Sequence, residues 1–470
     1  MSRRIALFGG SFNPPGLHHR QIAELLASRF DEVRVIPCGP RPDKPNVSDV
    51  PSVFRAALCD LVFSSMERIV VDLFDLEQNV FTRNHELEKR FSADGEVWHV
   101  VGADWLTGGA KGISAIHTGW EKGPELWQSS RFAVLTRPGH ELDPRDLPPH
   151  SELLPIEIPG ASTHIRDRAL HGKSIAEFLT PRAANYIERY GLYRGTNPAT
   201  WSRGTLADCR FLIQADARNS NAMEWSRRFD NFAAASDADI ILALGGDGAM
   251  LRAIREHWRR RLPFFGINAG HLGFLMNAPD QVFSSELPPR DVIFRQLPLL
   301  YVEIEKTNGQ KTTAYAFNDA WVERSTSQSA WLKVSVNGIP RIPKLVSDGA
   351  LVSTAAGSTA YARSMGASPL LADTPAWLLV GSNVMEPAHW KSALLSTDSS
   401  VEITNIADDH SRPVIAYIDG SPLGEVRSLK ARLSHAATAE LVFLANHDMA
   451  EKIAAIQFGE PVTSAMPKPE

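Results

Sequence analysis

The segment Ile240-Ile241-Leu242-Ala243-Leu244-Gly245-Gly246-Asp247-Gly248 decides the fold of the C-terminal half of the chain. Its first five residues form an unbroken apolar run, which predicts a strand buried on both faces, as in a parallel sheet. Residues 249–258 follow with the spacing of a helix. A strand that enters a helix through glycines exposes backbone N–H groups, so this turn predicts a site for phosphate oxygens.

Asp247 is the acidic residue of this turn. A carboxylate among phosphate-binding amides either holds Mg²⁺ or accepts a proton from a hydroxyl that attacks the phosphate. The plainer alternative is that Asp247 only caps the following helix, where aspartate is a favoured residue. The chain contains neither GxxxxGK[ST] nor GxGxxG after a strand, so no other phosphate motif of these types competes for the role.

Four segments downstream occur in the order found in NAD kinases, which the chain resembles over residues 209 to 460. They are residues 265–275, 317–319, 347–361 and 417–420. The resemblance implies that Asp247 deprotonates the 2′-hydroxyl of the adenosine ribose of NAD. It implies that the glycines of the turn contact the phosphates and that Asn318 and Asp319 contact the adenosine end of NAD. It also implies that Asp348 contacts the nicotinamide half. The implied binding residues are Gly245, Gly246, Gly248, Phe274, Asn318, Asp319, Asp348, Thr359, Ala360, Tyr361 and Ser364.

Two positions depart from the NAD kinase pattern. Asp319 is one methylene shorter than the usual Glu, and Thr354-Ala355-Ala356-Gly357 replaces the usual Thr-Pro-Thr-Gly. Loss of a hydroxyl at Ala356 removes at most one hydrogen bond, worth about 0.5 to 1.5 kcal/mol, which weakens a substrate without abolishing turnover. Diacylglycerol-kinase-like proteins also carry GGDG, so a lipid or sugar kinase is an alternative.

The first half of the chain opens with another strand, glycine turn and helix start, at residues 5–19. This turn predicts a second anion site, and a histidine in the first helical turn adds a donor for a phosphate. Adjacent histidines cannot place both imidazoles on one helix face, so His18 and His19 do not predict a metal site. Their plainer alternative is a solvent-facing helix start.

Residues 1–194 resemble nicotinate or nicotinamide mononucleotide adenylyltransferases. The opening follows GG[TS]F[DN]P-x-[HT]-x-x-H, and residues 160–166 correspond to ISSTxIR; residues 99–104, 134–139 and 186–193 match as well. The resemblance implies that His19 makes a catalytic contact to the ATP phosphates. It implies that residues 160–166, the second motif, contact the β- and γ-phosphates, and that Asp104 binds in the nucleotide pocket. The implied binding residues are Gly9, Gly10, Ser11, Phe12, His18, Asp104, Ser162, Thr163 and Arg166.

Gly16 stands where this family has its first His or Thr. We expect the loss of one phosphate contact to slow adenylyl transfer by about 10²- to 10³-fold without abolishing it, with His18 as a candidate substitute. The alternative is that the first half is an inactive nucleotide-binding regulatory module. For the second motif, the alternatives are that Ser162-Thr163 caps a helix and that Arg166 is a solvated charge.

The length of 470 residues predicts two or three domains, and the alternation of apolar strands with amphipathic helices predicts the α/β class. We expect a Rossmann-like nucleotidyltransferase domain followed by a kinase with an α/β part and a β-rich sandwich. Strands are predicted at 4–8, 32–37, 68–73, 97–101, 131–135, 153–158, 210–214 and 239–244, with helices that include 220–234 and one opening at Thr180-Pro181. The expected boundaries are 1–194 for the first domain, 195–208 for a linker, 209–290 and 291–437 for the kinase subdomains, 438–460 for a returning segment and 461–470 for a tail.

The composition of the chain gives no indication of a nucleic-acid or membrane partner. The net charge of −5 gives no sign of nucleic-acid binding, and no apolar run reaches the length of about 18 to 20 residues that spans a membrane. The start of the chain passes directly into a strand, so we expect a cytoplasmic protein. Cys38, Cys59 and Cys209 lack CxxC spacing and are expected to be buried thiols.

The two resemblances together predict a bifunctional enzyme, in which one half makes a pyridine dinucleotide and the other phosphorylates it to NADP. They imply ATP and Mg²⁺ in both halves, NAD and a pyridine mononucleotide as substrates, and self-association through the kinase domain. No carboxylate cluster in the sequence indicates a dedicated metal cage. We favour nicotinamide mononucleotide over the nicotinate form, because its product passes to the kinase without an amidation step.

Overall fold

A computed structural model describes residues 3–41, 50–136, 142–156, 160–270, 273–284, 287–407 and 411–458. The chain divides into a first unit, Met1–Ala199 with Arg259–Arg261, and a second unit, Thr200–Trp258 with Leu262–Glu470. The predicted tail, residues 137–139 of one adenylyltransferase segment and residues 271–272 of one kinase segment lie outside the described residues. Within the described ranges, no helix is long and apolar enough to cross a membrane.

The first unit is built on a six-stranded sheet in the order β3-β2-β1-β4-β5-β6, and every pair of neighbouring strands is parallel. The strands are β1 (Arg4–Gly10), β2 (Glu32–Pro37), β3 (Ile69–Val71), β4 (Glu96–Gly102), β5 (Arg131–Thr136) and β6 (Ser151–Pro155). The helices are α1 (Leu17–Arg29), α2 (Ser52–Phe63), α3 (Phe74–Gln78), α4 (Asn84–Phe91), α5 (Ala115–Gly119), α6 (Gly123–Ser129), α7 (Ser162–Leu170) and α8 (Pro181–Tyr190). This is the strand order of a Rossmann-type fold, in which ligands bind beyond the carboxyl ends of the strands.

Local signals explain these elements. Residues 5–8 of β1 are buried, as their apolar run predicts. At the start of α8, Pro181 is the first helical residue and the Thr180 side chain accepts a hydrogen bond from the Ala183 N–H. All six predicted strands are present, with their ends shifted by a few residues. The α/β class predicted for this half is confirmed.

The second unit combines a short parallel sheet with a larger antiparallel region. Its strands are β7 (Trp201–Gly204), β8 (Phe211–Ala215), β9 (Ile240–Gly245), β10 (Phe264–Asn268), β11 (Val292–Lys306), β12 (Lys311–Ala316), β13 (Asp319–Arg324), β14 (Ala330–Val336), β15 (Ile339–Ser347), β16 (Gly349–Ser353), β17 (Ala376–Ser382), β18 (Ser392–Ser396), β19 (Ser400–Asn405), β20 (Val414–Ile418) and β21 (Ser421–Leu444). Its helices are α9 (Ser220–Trp225), α10 (Asp247–His257), α11 (Pro279–Ser284), α12 (Tyr361–Ser364) and α13 (Met449–Phe458).

The long strand β21 joins the two parts. Its C-terminal end pairs in parallel with β10, which continues to β9 and β8. Strand β11 pairs antiparallel with most of β21, including that end, whereas β19 and β20 pair antiparallel with its earlier residues. One core lies between the antiparallel layers and includes Trp377, which is fully buried. A second core packs α10 against the parallel strands. The predicted β-rich region is therefore confirmed.

The helix predicted at 220–234 is wrong beyond α9. The Phe211 N–H donates to the Asn231 carbonyl at 2.7 Å, and the Ala233 N–H donates to the Phe211 carbonyl at 2.9 Å. The Phe229 ring packs against Phe211 with centroids 5.4 Å apart. Pairing beside β8 thus satisfies backbone groups that a longer helix would need.

The structure differs from two further predictions, those for the linker and for Cys209. Strand β7 lies within the predicted linker and pairs with β11 from Trp201 to Gly204. Of the three thiols expected to be buried, Cys38 and Cys59 are buried, whereas Cys209 is half-buried.

Candidate active sites

The turn after β9 leaves its backbone accessible. Gly246 is the N-cap of α10. A Cβ at Gly245 would lie 2.7 Å from the Ala249 Cβ, so a side chain is excluded there by a fixed atom. A Cβ at Gly246 would meet no atom within 4 Å, and one at Gly248 would meet only Arg252 Nη1, at 3.8 Å. The turn therefore has open space on the side where α10 begins, as a phosphate site requires.

Asp247 does not cap its own helix. It is the first residue of α10, and its Oδ2 and Oδ1 accept hydrogen bonds from the Phe274 and Leu275 N–H groups, each at 2.9 Å. Burial raises the pKa of the carboxyl, while the two amides and the charge of Lys452 oppose that rise. The capping alternative is therefore wrong, and Asp247 is an oriented carboxylate at the edge of the turn.

Lys452 of α13 also holds this segment, through its backbone carbonyls. Its Nζ donates to the Gly273 and Met276 carbonyls, both at 2.7 Å. Burial lowers the pKa of Lys452 to about 8, although the Asp247 carboxylate acts in the opposite direction. The chain thus places a cation and a carboxylate on one short segment, a pair that the sequence did not indicate.

Asn318 and Asp319 are positioned by a third carboxylate, that of Asp419. The Asp419 Oδ2 accepts the Phe317 N–H at 2.8 Å, and its Oδ1 accepts the N–H groups of Asn318 at 2.8 Å and Asp319 at 3.2 Å. Gly357 packs against this segment, since a Cβ there would lie 2.2 Å from the Asn318 carbonyl oxygen. Two of the segments expected to contribute to one pocket are therefore in direct contact.

The side chains of this pair are buried and short of partners. Asn318 Oδ1 is buried and has no hydrogen-bond partner in the described part of the chain. Burial raises the pKa of Asp319 to about 8, and the nearby Asp419 adds to that rise. Buried polar groups without partners are rare in folded proteins, so the pair is a candidate for binding a polar ligand.

Tyr361 packs against β13 through Trp321, a residue inside that strand. Its ring meets Trp321 edge to face with centroids 4.9 Å apart, and Trp321 stacks on Tyr417 at 4.8 Å. Burial raises the pKa of Tyr361, and the charges of Glu323, Asp319 and Asp348 add to the rise. The neighbouring predicted residues are partly accessible: Thr359 is half-buried, and Ala360 and Ser364 are exposed.

Asp348 is beside the last residue of β13, whereas Asp319 is its first. The Arg324 side chain and the Asn383 amide hydrogen-bond the Asp348 carboxylate. The Asn383 bond, followed by that of Arg324, lowers the pKa of this carboxyl. The structure therefore separates Asp348 from the Asn-Asp pair by the length of β13.

The first unit contains a cavity of about 770 Å³ at the carboxyl ends of its parallel strands. Seven of the residues predicted from the sequence line it: Gly9, Gly10, Ser11, His18, His19, Asp104 and Ser162. The Phe12 side chain is 1% exposed and belongs to the core, where its ring packs against His19 with centroids 5.1 Å apart. Phe12 is therefore a core residue that packs against His19 and does not line the cavity.

The two histidines lie together, contrary to the expectation from helical geometry. Their ring centroids are 3.9 Å apart, and both rings line the cavity, so the solvent-facing alternative is wrong. The Gly16 N–H donates to His19 Nδ1 at 3.1 Å. With Nδ1 as the acceptor, a neutral His19 ring carries its proton on Nε2.

The second motif is tied to the first. Ser162 Oγ donates to the Pro14 carbonyl at 2.9 Å, and Ala161, not Ser162, is the N-cap of α7. Arg166 Nη1 donates to the Asn13 carbonyl at 2.7 Å, and its Nη2 donates to Thr163 Oγ1 at 3.3 Å. Neither the capping alternative nor the solvated-charge alternative describes these residues.

Two family models match this chain, one in each half. Residues 7–168 match the family model of cytidylyltransferase-like proteins, and residues 197–288 match that of the ATP-NAD kinase N-terminal domain. The NAD kinase of Rickettsia bellii is 32% identical over 248 residues, which cover 53% of this chain and 96% of that relative. The chain belongs to the NAD kinase family. The NAD kinase of Rickettsia akari is 33% identical with the same coverage.

Two solved structures were also matched. The yeast NADH kinase complexed with NADH has a TM-score of 0.41 and 15% identity, covering 79% of this chain and 89% of that one. The NAD kinase from Archaeoglobus fulgidus in complex with ATP has a TM-score of 0.40 and 20% identity, covering 52% and 98%.

The described residues of the NAD kinase half include the oriented Asp247 carboxylate but no cluster of side chains that could hold a metal ion. In the described ranges, no group of three or more His, Cys, Asp or Glu side chains lies close enough to hold a metal ion. Both Asp247 oxygens already accept backbone N–H groups. These residues fit a Mg²⁺ ion that arrives bound to the ATP phosphates better than one held by the protein.

Proposed function

We propose that the second unit transfers the γ-phosphoryl group of ATP to the 2′-hydroxyl of the adenosine ribose of NAD. The hydroxyl oxygen forms a bond to the γ-phosphorus, the bond between that phosphorus and the β–γ bridging oxygen breaks, and ADP leaves. Asp247 takes the hydroxyl proton, and the amides of the turn at 245–248 bind phosphate oxygens. Mg²⁺ enters with ATP and neutralises charge on its phosphates.

The observation that carries this proposal is the Asp247 carboxylate fixed beside the open glycine turn. A buried carboxyl with a raised pKa is a stronger proton acceptor than an exposed one. The buried Asn318 and Asp319 side chains supply polar groups for the adenosine end of NAD. The relatives that match this half over nearly their full length are NAD kinases. This similarity favours NAD over a lipid or sugar as the acceptor.

The test compares Asp247→Asn with Lys452→Met. Asparagine loses the proton acceptor and also one of the two carboxylate oxygens that hold the 273–276 segment. Methionine at position 452 loosens the same segment but leaves the Asp247 carboxylate in place. We expect Asp247→Asn to lower kcat by about 10²- to 10⁴-fold and Lys452→Met by about tenfold or less. Equal losses in the two variants would mean that Asp247 only anchors the segment.

We propose that the first unit transfers the adenylyl group of ATP to a pyridine mononucleotide. A phosphate oxygen of the mononucleotide forms a bond to the α-phosphorus, the bond to the α–β bridging oxygen breaks, and pyrophosphate leaves. The observation that supports this proposal is that the first motif and the start of the second meet at one cavity, with His19 and Ser162 in its lining, while Thr163 and Arg166 are not among its lining residues. We favour nicotinamide mononucleotide as the substrate, since its product is the NAD that the kinase uses.

The full chain incubated with ATP and either nicotinamide or nicotinate mononucleotide tests this proposal. We expect pyrophosphate release and NADP as the final product from the nicotinamide form. Absence of pyrophosphate with both mononucleotides would leave the first unit as a regulatory nucleotide-binding module, for which Gly16 is the supporting departure. We also propose self-association through the kinase half, which sedimentation of the full chain measures directly.

A further inference from the structure

His18 fills space that side chains at positions 16 and 160 would otherwise take. A Cβ at Gly16 would lie 2.8 Å from Cε1 and Nδ1 of the His18 ring, and a Cβ at Gly160 would lie 2.5 Å from its Cγ. Cβ atoms essentially never approach other atoms within 3.0 Å. The imidazole therefore fits in this position because both neighbours are glycines.

Both glycines stand where the two adenylyltransferase motifs carry side chains. Position 16 is the His or Thr of the first motif, and position 160 is the first residue of ISSTxIR. Considered separately, each glycine is a position at which this chain lacks a side chain of the family motif. Taken with the His18 ring between them, the two departures make room for one imidazole, so they are linked in space.

The placement of this ring suits a phosphate contact. It lies 3.9 Å from the His19 ring, and both line the cavity together with Ser162 at the start of α7. His19 Nδ1 is fixed by the Gly16 N–H, the same residue whose missing side chain admits the His18 ring. The two imidazoles therefore lie next to each other in the lining of the cavity.

We infer that His18 is the second ATP-phosphate contact of the adenylyl-transfer site and takes over the role of the side chain missing at position 16. The inference rests on the adenylyl transfer proposed above. As the bond to the leaving pyrophosphate breaks, its oxygens gain negative charge, which an imidazole N–H stabilises. The chain thus keeps two side-chain donors with a different arrangement along the sequence.

Relocating the imidazole tests this inference. The variants are His18→Ala, the double variant Gly16→His with His18→Ala, and His171→Ala, a matched control that removes an exposed imidazole at the end of α7. Gly16 has extended backbone angles that any residue adopts, and removal of the His18 ring clears the contacts at 2.8 Å. The remaining neighbour, Ile165 Cδ1 at 3.0 Å, is the end of a flexible side chain.

Two quantities are measured on the full chain: the rate of pyrophosphate release, and MgATP binding by calorimetry without a mononucleotide. We expect His18→Ala to lose about 10²- to 10³-fold in rate and to weaken the binding event of the first unit. The relocated variant is expected to regain at least tenfold of that rate, and His171→Ala to match the unchanged chain. Thermal unfolding checks that all variants fold.

The outcomes separate the inference from the proposed function. If the unchanged chain releases no pyrophosphate, adenylyl transfer fails as a function, and weaker MgATP binding by His18→Ala still supports the phosphate contact. Equal MgATP binding and equal rates in His18→Ala and His171→Ala overturn the contact. A relocated variant no faster than His18→Ala overturns the claim that His18 replaces the side chain at position 16.

Discussion

Replacing Asp319 with asparagine should remove a loss of stability that the second unit of the unchanged chain shows as the pH rises. Asp319 is 3% exposed, and no hydrogen bond to its carboxyl is found in the described part of the chain. Burial raises its pKa from 3.8 to about 8, with a further contribution from Asp419. In the ligand-free protein the carboxyl is therefore protonated at neutral pH, while in the unfolded chain it is ionised.

The sign and size of the effect follow from this difference. Between about pH 4 and about pH 8 the folded chain binds one more proton than the unfolded chain, so its free energy of unfolding falls as the pH rises. Each pH unit within that window costs about 1.4 kcal/mol. Asparagine has nearly the same shape and no proton to lose. The advantage of Asp319→Asn over the unchanged chain should therefore grow by about 3 kcal/mol from about pH 5 to about pH 7.

Hydrogen exchange of the β13 and β16 amides, read by mass spectrometry and corrected for intrinsic exchange, measures this local free energy. Asp348→Asn is the matched control at the other end of β13. Hydrogen bonds from Asn383 and Arg324 lower the pKa of Asp348, so it stays ionised throughout the window and its replacement shifts stability by a constant amount. A pH-independent difference for Asp319→Asn would refute the assignment of a neutral buried carboxyl.

Three further substitutions test the two turns. Gly246→Ala meets no protein atom within 4 Å, so it should leave thermal stability unchanged while raising the KM for ATP. Gly245→Ala, with its Cβ 2.7 Å from the Ala249 Cβ, should instead lower the unfolding temperature, and equal stability of the two variants would contradict this packing. Arg166→Lys replaces the two guanidinium nitrogens that bond Asn13 and Thr163 with a single ammonium nitrogen, so pyrophosphate release should fall by about 10-fold or more while NAD phosphorylation by the same chain is unchanged.

Short-range signals made the strands and turns predictable. The apolar run before Gly245, the glycines themselves and the Thr180-Pro181 helix start all act within a few residues. The wrong extension of α9 shows the limit of such signals, because pairing of Asn231 and Ala233 with Phe211 decided the structure there. The helical pattern of 220–234 carried no information about that partner.

The details of both sites depend on residues far apart in the sequence. The sequence identified Asp247, but not the Phe274 and Leu275 amides that orient it, nor Lys452, which anchors the same segment. Asp419 belongs to a segment that the sequence singled out, yet its role in holding the Asn318 and Asp319 backbone appears only in three dimensions. Such contacts depend on the tertiary arrangement, which no local spacing encodes.

The two glycine turns look alike in sequence, and the proposed reactions explain why they carry different side chains. In adenylyl transfer the attacking group is a phosphate oxygen that is already ionised near neutral pH, so the site needs donors such as His18 and His19 to stabilise negative charge. In NAD phosphorylation the attacking group is a hydroxyl that must lose its proton, so the site needs an acceptor, which Asp247 supplies. The protonation state of the nucleophile therefore accounts for imidazoles after one turn and a carboxylate in the other.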